Sequence, residues 1–281
     1  MENRKHFGAG LLAFLIWGFF AFPLRALSDY SSGQILYFRI LKQLLEEIAL
    51  LKSFTREKRN TLIVLTLAGG ALLTVNWLTF IHTVNNINIK TASFSYLVCP
   101  VLTAVLGSVL LKEKLSKQQW LAVVLCALSC VLIGMGSALE LGFSLLTALT
   151  YALYLITQRR NQGFDRIIVL GVQIVFALLI LSAFLPVLVS EIPTAPKFYV
   201  LIVIVAVVFT VLPLFLNLYA LNRVNAATIG IVMYLNPILN FIIALLFFNE
   251  HLAGIQVLGY VIIFIALIIF NYASILKRVQ R

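Results

Sequence analysis

The sequence has few charged residues, which make up only 11% of its 281 positions, whereas a soluble globular protein carries about 25%. Hydrophobic residues account for 62% of the chain, and the mean hydropathy is +1.05. A water-soluble domain of this size could not bury so much apolar surface. Composition therefore excludes a soluble enzyme, a disordered protein and a nucleic-acid-binding domain, and it leaves a polytopic membrane protein.

Residues that carry chemistry are also scarce. The three cysteines, Cys99, Cys126 and Cys130, lie inside apolar runs, a placement typical of small buried hydrophobes rather than of disulfides or metal ligands. The three histidines are far apart, and the two aspartates, Asp29 and Asp165, fall in separate loops. No metal-binding or nucleophile motif is present. We therefore predict that the protein is not an enzyme and has no catalytic residue, metal, cofactor or nucleic-acid partner.

Long apolar runs fill the chain and are separated by short polar connections. One membrane-spanning helix needs about 20 apolar residues. Spanning β-strands are excluded because the runs are too long and do not alternate between polar and apolar residues. The sequence thus predicts an all-α, polytopic fold of ten transmembrane helices. The ten segments are roughly 7–27, 32–51, 61–84, 89–111, 119–139, 142–158, 166–190, 198–221, 226–248 and 251–276.

Lysine and arginine are distributed unequally between alternate connections. With the N-terminus in the cytoplasm, sixteen of them fall on the inside, and only Arg25, Lys90 and Lys197 fall on the outside. Positive residues accumulate on the cytoplasmic side of membrane proteins. We therefore predict that both termini are cytoplasmic and that the first apolar run is a retained span rather than a signal peptide.

The sequence repeats itself. A shift of 137 residues places the fourth and fifth segments on the ninth and tenth, and a weaker match at 134 residues covers earlier segments. The chain thus divides into five-helix halves, 1–140 and 141–281, and the second half is inverted because five is odd. Inverted repeats are typical of alternating-access transporters that bind substrate near the midplane. The matched pairs include Asn85 with Asn222, Asn88 with Asn225, Thr91 with Thr228, Pro100 with Pro237, Glu113 with Glu250, Gln119 with Gln256, Trp17 with Tyr151 and Arg25 with Arg159.

Particular residues carry a resemblance to a known family. They comprise Asn76-Trp77, Phe80, Val84-Asn85, Ala92-Ser93, Tyr96, Pro100, Glu113, Gln119-Trp120-Leu121-Ala122-Val123, Tyr234-Leu235-Asn236-Pro237 and Asn249-Glu250. This pattern resembles the RarD-type permeases, in the EamA branch of the drug/metabolite transporter superfamily. The resemblance covers nearly the whole chain and implies a bacterial inner-membrane permease for small metabolites, often an exporter. It does not identify a substrate, since related families handle amino acids, other metabolites and drugs.

Three prolines fall within predicted spans: Pro100 in segment four, Pro213 in segment eight and Pro237 in segment nine. Proline prevents the helical hydrogen bond to the carbonyl four residues earlier. The freed carbonyls would be those of Tyr96, Phe209 and Met233. Such backbone is tolerated at membrane depth only when it is buried or lines a wet cavity. The prolines are therefore either hinges around a central cavity or static kinks whose carbonyls bond to a neighbouring helix.

Polar and aromatic side chains gather at a similar depth. Buried amides in a membrane either line a pocket or join helices through hydrogen bonds, and the sequence leaves both interpretations open. Aromatic faces and amides together suit an amino group or an aromatic ring. We therefore predict a zwitterionic or amphiphilic substrate. The candidate substrate-binding residues are Trp17, Asn76, Trp77, Phe80, Tyr96, Tyr151, Asn217, Tyr234 and Asn236.

Segment two carries ionisable residues inside a predicted span. Arg39 lies about 4 Å from the midpoint of the segment at the helical rise per residue. A charge at that depth is costly, so Arg39 should face protein or water as an anchor or as part of a gating pair. Glu46 lies near the cytoplasmic interface, where it either extends to the headgroups or takes part in proton coupling.

Glu113 and Glu250 are related by the repeat, and each precedes a predicted helix start. Each carboxylate therefore either stabilises the positive end of the helix that it precedes or forms a gating salt bridge. Ser116 and Gln119 have the spacing of a capping box for segment five. A stripe of small residues on segment five could pack against segment ten or against a second copy of the chain, as a homodimer.

We therefore expect a secondary transporter that works by alternating access, with a small-molecule substrate and the lipid bilayer as its partners. The alternative is a channel or facilitator, which would need a continuous pore lined by like charges or carbonyls. The substrate, the direction of transport, proton coupling and the oligomeric state are left open.

Overall fold

The computed structural model describes residues 2–47, 59–160, 166–188, 192–221 and 232–279. In these ranges the chain forms helices and turns and contains no strand, which confirms the all-α prediction. Six helices are long and apolar enough to cross a membrane, and three shorter helices are apolar too. The protein is therefore a polytopic membrane protein, and the count of ten spans stays a prediction.

The helices follow the predicted segments closely. Segments one, seven and nine each contain a break, and segment eight passes through one of two π-helical turns without a break. The helices are α1 (Glu2–Gly18), α2 (Ala21–Arg25), α3 (Ser32–Glu47), α4 (Arg59–His82), α5 (Ile89–Leu110), α6 (Lys117–Gly136), α7 (Ala138–Arg160), α8 (Arg166–Ala183), α9 (Leu185–Leu188), α10 (Pro196–Ala206), α11 (Leu212–Leu221), α12 (Leu235–Leu246) and α13 (Gly254–Val279), and the π-helical turns are Thr83–Ile87 and Val207–Val211.

Side-chain caps fix where the helices begin. The Ser116 hydroxyl accepts a hydrogen bond from the Gln119 backbone N–H at 3.2 Å, and the Gln119 side chain accepts one from the Ser116 N–H at 2.9 Å. These two bonds form the predicted capping box and start α6 two residues earlier than expected. Asn88 caps α5 in a similar way, because its side-chain oxygen accepts from the Thr91 N–H at 2.8 Å.

The helices that precede Glu113 and Glu250 end in the same way. Lys112 and Asn249 both adopt left-handed backbone, with φ of 57° and 51°, a conformation that commonly ends helices. In both turns the N–H of the following glutamate donates to a carbonyl six residues earlier. The acceptors are Gly107 at 3.2 Å and Ala244 at 3.0 Å. Since α5 rises about 33 Å between its ends, and Glu250 contacts its start, the two glutamates lie at opposite ends of the bundle, called here the Glu113 end and the Glu250 end.

Most helix packing joins the first half of the chain to the second half. α4 packs against α7 and α8. In the repeat, α10 and α11 correspond to α4, α1 corresponds to α7, and α3 corresponds to α8. The equivalent contacts, α11 with α1 and α10 with α3, are both present. α5 packs against α7 as α12 packs against α1. Three further pairs, α6 with α13, α3 with α8 and α5 with α12, each join equivalent helices of the two halves. The two halves are thus interleaved rather than side by side.

One face of α6 packs against α13. The Ser129 hydroxyl on α6 donates to the Gly259 carbonyl on α13 at 2.7 Å, and a Cβ added at Gly259 would come within 3.0 Å of Ile133. The predicted stripe comprises Ala122, Cys126, Cys130 and Gly134. Ala122 and Cys126 are buried, and a Cβ added at Gly134 would meet the side chain of Leu141 on α7. Packing of the stripe against segment ten or against a second copy of the chain stays a prediction.

Candidate functional site

Arg39 lies in the middle of α3 and is buried, with 5% of its surface exposed. Its guanidinium carbon is 4.8 Å from the centre of the Trp77 ring and 5.2 Å from the centre of the Phe20 ring. Its Nε donates a hydrogen bond to the Thr210 hydroxyl at 3.2 Å. Arg39 thereby joins α3 to α4, to the turn between α1 and α2, and to the second π-helical turn.

These contacts offset part of the cost of burying a charge. An arginine at the centre of a membrane span costs about 2.5–3.5 kcal/mol on insertion scales, and a desolvated cation–π contact contributes about 2 kcal/mol. The ion pairs among the described residues join Arg25 to Glu250, Lys90 to Glu140 and Arg159 to Glu113. Within the described ranges, no carboxylate therefore pairs with Arg39.

The π-helical turn Val207–Val211 presents Thr210 to Arg39. The Thr210 hydroxyl accepts from Arg39 and donates to the Val205 carbonyl at 2.9 Å. Single π-helical turns occur often at functional sites because they redirect a side chain and leave carbonyls without their usual partner. Thr210 was not identified from the sequence, since nothing in its local pattern predicts a π-helical turn.

Pro213 frees the Phe209 carbonyl, as predicted, and Trp17 binds it. The Trp17 indole N–H donates to this carbonyl at 3.0 Å. At Pro213, the structure thus favours the interpretation of a kink whose carbonyl bonds to a neighbouring helix. The polar atom of Trp17 serves this interhelical bond, and its half-buried ring packs near Phe14, at 5.1 Å between ring centres.

Six aromatic rings form a continuous series, called here the aromatic row, that passes beside Arg39. It draws on segments one, three, four, six and eight. The centre-to-centre distances are 5.7 Å for Phe209–Phe20, 6.3 Å for Phe20–Phe80, 5.3 Å for Phe80–Tyr96, 5.5 Å for Tyr96–Tyr151 and 5.7 Å for Tyr151–Tyr154. The structure therefore brings together Arg39, Trp77, Phe80, Tyr96 and Tyr151 from the predicted set.

Asn76 holds one member of the aromatic row in place. Its side chain is fully buried, and its Nδ2 donates to the Thr147 carbonyl at 2.8 Å. Its Oδ1 accepts from the Tyr96 hydroxyl at 3.4 Å. Asn76 thus joins α4 to α7 and α5 by hydrogen bonds between helices, and it positions Tyr96 rather than facing a ligand with a free amide.

Pro100 and Pro237 are equivalent in the repeat but act differently. Pro100 lies inside the continuous helix α5 and has no N–H to donate to the Tyr96 carbonyl. Pro237 is in the first turn of α12 rather than mid-helix, because segment nine breaks before Leu235. The expectation of a free Met233 carbonyl is wrong, since the Asn236 N–H donates to it at 3.3 Å.

The described predicted residues of segment nine do not join the aromatic row. The Asn236 side-chain oxygen accepts from Asn240, one turn later on α12, at 2.5 Å. Tyr234 is half-buried and packs against the core formed by α5, α6, α7 and α13, which Tyr151 also contacts. The side chains of Asn217 and Glu46 lie outside the described residues, so the predictions made for them stay predictions.

At the Glu250 end of the bundle, Glu250 accepts three hydrogen bonds. Its Oε1 accepts from Arg25 at 3.0 Å and from the Ile89 N–H at 2.7 Å, and its Oε2 accepts from the Lys90 N–H at 2.9 Å. The carboxylate therefore caps the positive start of α5 and also pairs with Arg25. Glu250 thus forms an ion pair, as one alternative predicted, but the helix whose start it stabilises is α5 rather than α13, the helix that it precedes.

At the opposite end, Glu113 pairs with Arg159 through both carboxylate oxygens, at 2.8 and 2.7 Å. This pair is more exposed than its equivalent. The side chains of Arg159 and Glu113 are 53% and 43% exposed, against 26% and 11% for Arg25 and Glu250. In both pairs the arginine of one half of the chain binds the glutamate of the other half. The two ends of the bundle thus carry equivalent ion pairs that differ in exposure.

A second polar cluster lies beside Glu250 and was not identified from the sequence. Glu140, in the first turn of α7, accepts from Asn88 at 2.9 Å and from Gln256 at 2.9 Å, and it lies 3.6 Å from the Lys90 ammonium. The Lys90 ammonium also donates to the His251 carbonyl at 2.7 Å. The starts of α5, α7 and α13 are thus tied together at this end.

Some of these residues carried a usable signal in the sequence. Arg25 and Arg159 were aligned by the weaker repeat, and Glu113 and Glu250 by the stronger one, so two equivalent arginine–glutamate pairs could have been predicted. Phe20 and Phe209 could not have been chosen, because nothing separates them from the other 19 phenylalanines of the chain.

Comparison with known proteins gives the context of this geometry. The EamA-like transporter family matches the chain twice, over residues 6–135 and 139–272. An uncharacterized transporter of Pseudomonas aeruginosa is 29% identical over 96% of this chain and 94% of its own. The protein RarD of Escherichia coli is 26% identical over the same shares of the two chains.

A third relative and a solved structure show similar matches. An uncharacterized transporter of Bacillus subtilis is 25% identical over 98% of this chain and 96% of its own. A solved crystal structure superposes with a TM-score of 0.64 over 96% of this chain and 98% of that chain. Its sequence identity is 14%, so this likeness concerns the fold alone.

Proposed function

The chain belongs to the EamA-like transporter family, and we propose that it carries a small amphiphilic or zwitterionic metabolite across a bacterial inner membrane by alternating access. The substrate site is the region between Arg39, Trp77 and the aromatic row. The observation that carries this proposal is the pair of equivalent arginine–glutamate contacts at opposite ends of the bundle, with unequal burial.

The two halves are inverted repeats in this proposal. The family matches each half separately. Several contacts that a helix of the first half makes with the second half have a counterpart in which the two halves change places, such as α4 with α7 and α11 with α1. The left-handed residues Lys112 and Asn249 are 137 positions apart, which is the spacing of the sequence repeat. An inverted pair of bundles can pass between two states of similar energy by exchanging the conformations of its halves.

The Arg25–Glu250 and Arg159–Glu113 pairs are the gates. The buried pair, with its three hydrogen bonds, closes the Glu250 end, whereas the exposed pair leaves the Glu113 end less tightly held. With both termini in the cytoplasm, the Glu250 end faces outward. This conformation is then the one closed to the outside, and opening requires Glu250 to release Arg25 and the start of α5.

The depth of the site is consistent with a substrate held between two gates. Tyr96 lies seven residues from the start of α5 and fourteen from its end, which corresponds to about 10 and 21 Å along the helix. Tyr151 lies in the middle of α7, within the aromatic row. Rings from both halves of the chain therefore meet at an intermediate depth, where an alternating-access site belongs.

The test is counterflow in proteoliposomes. A thermal-shift screen of small metabolites on the purified protein first identifies ligands, because a ligand that binds the folded state raises its stability. Vesicles loaded with one such ligand should then accumulate the labelled ligand transiently, since a carrier exchanges substrate across the membrane. Labelled ligand that only equilibrates, at a rate that does not saturate, would instead indicate a channel and overturn the proposal.

An imposed pH gradient in the same vesicles tests proton coupling. A gradient that changes the rate or the final accumulation would show coupling, and the Glu46→Gln variant then asks whether Glu46 carries the proton. An unchanged rate and an unchanged accumulation would exclude obligatory coupling. If export is the physiological direction, vesicles sorted by the orientation of the protein should transport ligand faster from the Glu113 side than from the Glu250 side.

A further inference from the structure

Arg39 differs from the other cations that the structure describes within the bundle, because its charge has no anionic partner. Arg25, Lys90 and Arg159 each pair with a glutamate. Lys42, one turn from Arg39 on α3, has a partner of its own. The cation that lies beside the aromatic row is thus the one whose charge no described carboxylate compensates. A buried charge without a partner is costly unless something else binds it.

The free part of the Arg39 guanidinium is the edge formed by its two terminal nitrogens. Nε is occupied by the Thr210 hydroxyl, and the rings of Trp77 and Phe20 cover the group. No described residue accepts a hydrogen bond from the two terminal nitrogens. Neither nitrogen is completely enclosed by the protein. The small exposed fraction of this side chain therefore includes its free edge.

Such an edge matches one kind of ligand group. Two parallel N–H donors in a fixed plane bind a carboxylate through both of its oxygens. A single cation compensates one negative charge, so a dianion such as a sugar phosphate would bring an uncompensated charge into the membrane. The Phe20 ring contacts the Arg39 guanidinium and also belongs to the aromatic row. An apolar body attached to the carboxylate would therefore lie along Phe80 and Tyr96.

We infer that Arg39 binds the carboxylate of the transported molecule and that the substrate is an organic monocarboxylate with an apolar or aromatic body. This inference rests on the proposed function, whose site it specifies. It narrows the expected amphiphile to one charge class: the substrate carries a carboxylate that enters the site ionised, and the positive charge of Arg39 compensates it at the membrane interior.

The test uses matched compounds that differ in charge. Phenylpropionate, phenylpropionamide and phenylpropylamine share one body, and indoleacetate, indoleacetamide and tryptamine form a second set. Thermal-shift titrations on the purified full chain measure an apparent Kd for each compound. We expect the acids to raise the melting temperature, and the amides and amines to bind at least tenfold more weakly.

Variants connect the preference for acids to Arg39. The Arg39→Gln substitution should weaken acid binding by about 10- to 100-fold, because hydrogen bonds to a charged group are lost. Arg39→Lys keeps the charge and should retain part of the affinity, which also protects the test if the glutamine variant fails to fold. Arg160→Gln is the control, since Arg160 is exposed at the end of α7 and donates to a backbone carbonyl; acid binding should be unchanged.

The outcomes separate the charge class from the site. Amides or amines that bind as tightly as the acids, or acid binding that survives Arg39→Gln, would overturn the inference. If Trp77→Ala abolishes the binding of compounds that do not depend on Arg39, the location of the substrate site is supported, and only the preference for a carboxylate is wrong. If none of the six compounds binds in a way that depends on Arg39, the inference fails, and counterflow of ligands from the metabolite screen decides the proposed function separately.

Discussion

Replacing Glu250 with glutamine should loosen the Glu250 end of the bundle while leaving its shape nearly unchanged. The carboxylate accepts from Arg25 and from the Ile89 and Lys90 N–H groups at the start of α5. The amide has one acceptor oxygen instead of two and no charge. At least one of these donors therefore loses its partner, and the remaining bonds lose their charge assistance.

The size of the effect follows from these contacts. A hydrogen bond to a charged group contributes about 1.5–3 kcal/mol, and a neutral one about 0.5–1.5 kcal/mol. Three bonds that each lose about 1 kcal/mol, less the recovery by the amide, give about 2–3 kcal/mol against the closed end. That range corresponds to roughly a 30- to 150-fold increase in the open population.

Hydrogen–deuterium exchange measures this population at the affected amides. The Ile89 and Lys90 N–H groups exchange when Glu250 releases them, so Glu250→Gln should accelerate their exchange by the factor given above. Glu113→Gln is the matched control, because its more exposed pair contributes about 0–1 kcal/mol and lies at the other end. Unchanged exchange at these amides in Glu250→Gln, or equal acceleration in Glu113→Gln, would refute this account of the closed end.

Two further predictions concern the junction of the halves. Gly18→Ala should lower the melting temperature by the equivalent of about 1–3 kcal/mol, because its Cβ would lie 2.8 Å from the Cβ of a leucine on α12. The control is Gly8→Ala, which has open space around it and should be neutral or stabilising. Equal effects of the two substitutions would contradict the close approach of Gly18 to α12. Trp17→Phe should cost about 1–3 kcal/mol in chemical denaturation by leaving the Phe209 carbonyl without its donor, whereas Trp120→Phe, half exposed on α6, should cost little.

Helix positions could be predicted from the sequence because they depend on local signals. Apolar runs of about 20 residues fix the spans in a membrane, and the Ser116–Gln119 capping box was legible as a spacing and is present. The π-helical turns carried no such signal. They lie at Thr83–Ile87 and Val207–Val211, where no residue type marks a π-helical turn.

The candidate site could be predicted only in part. The depth of Arg39 indicated that it faces the interior, since a charged group avoids the lipid there, and the family resemblance drew attention to Trp77, Phe80 and Tyr96. The sequence could not separate a pocket amide from one that joins helices, and Asn76 is of the second kind. That distinction depends on which carbonyl lies opposite the amide in the folded bundle, a contact far away along the chain.

The most direct test of the central claim is the accessibility of the site from each face of the membrane. Trp77→Cys, in a background whose three native cysteines are replaced by alanine, reports on this depth beside Arg39. A membrane-impermeant maleimide should label it only from the Glu113 side, and adding Glu250→Gln should open labelling from the Glu250 side. Simultaneous labelling from both sides without that substitution, or labelling only from the Glu250 side, would contradict a site that opens to one face at a time.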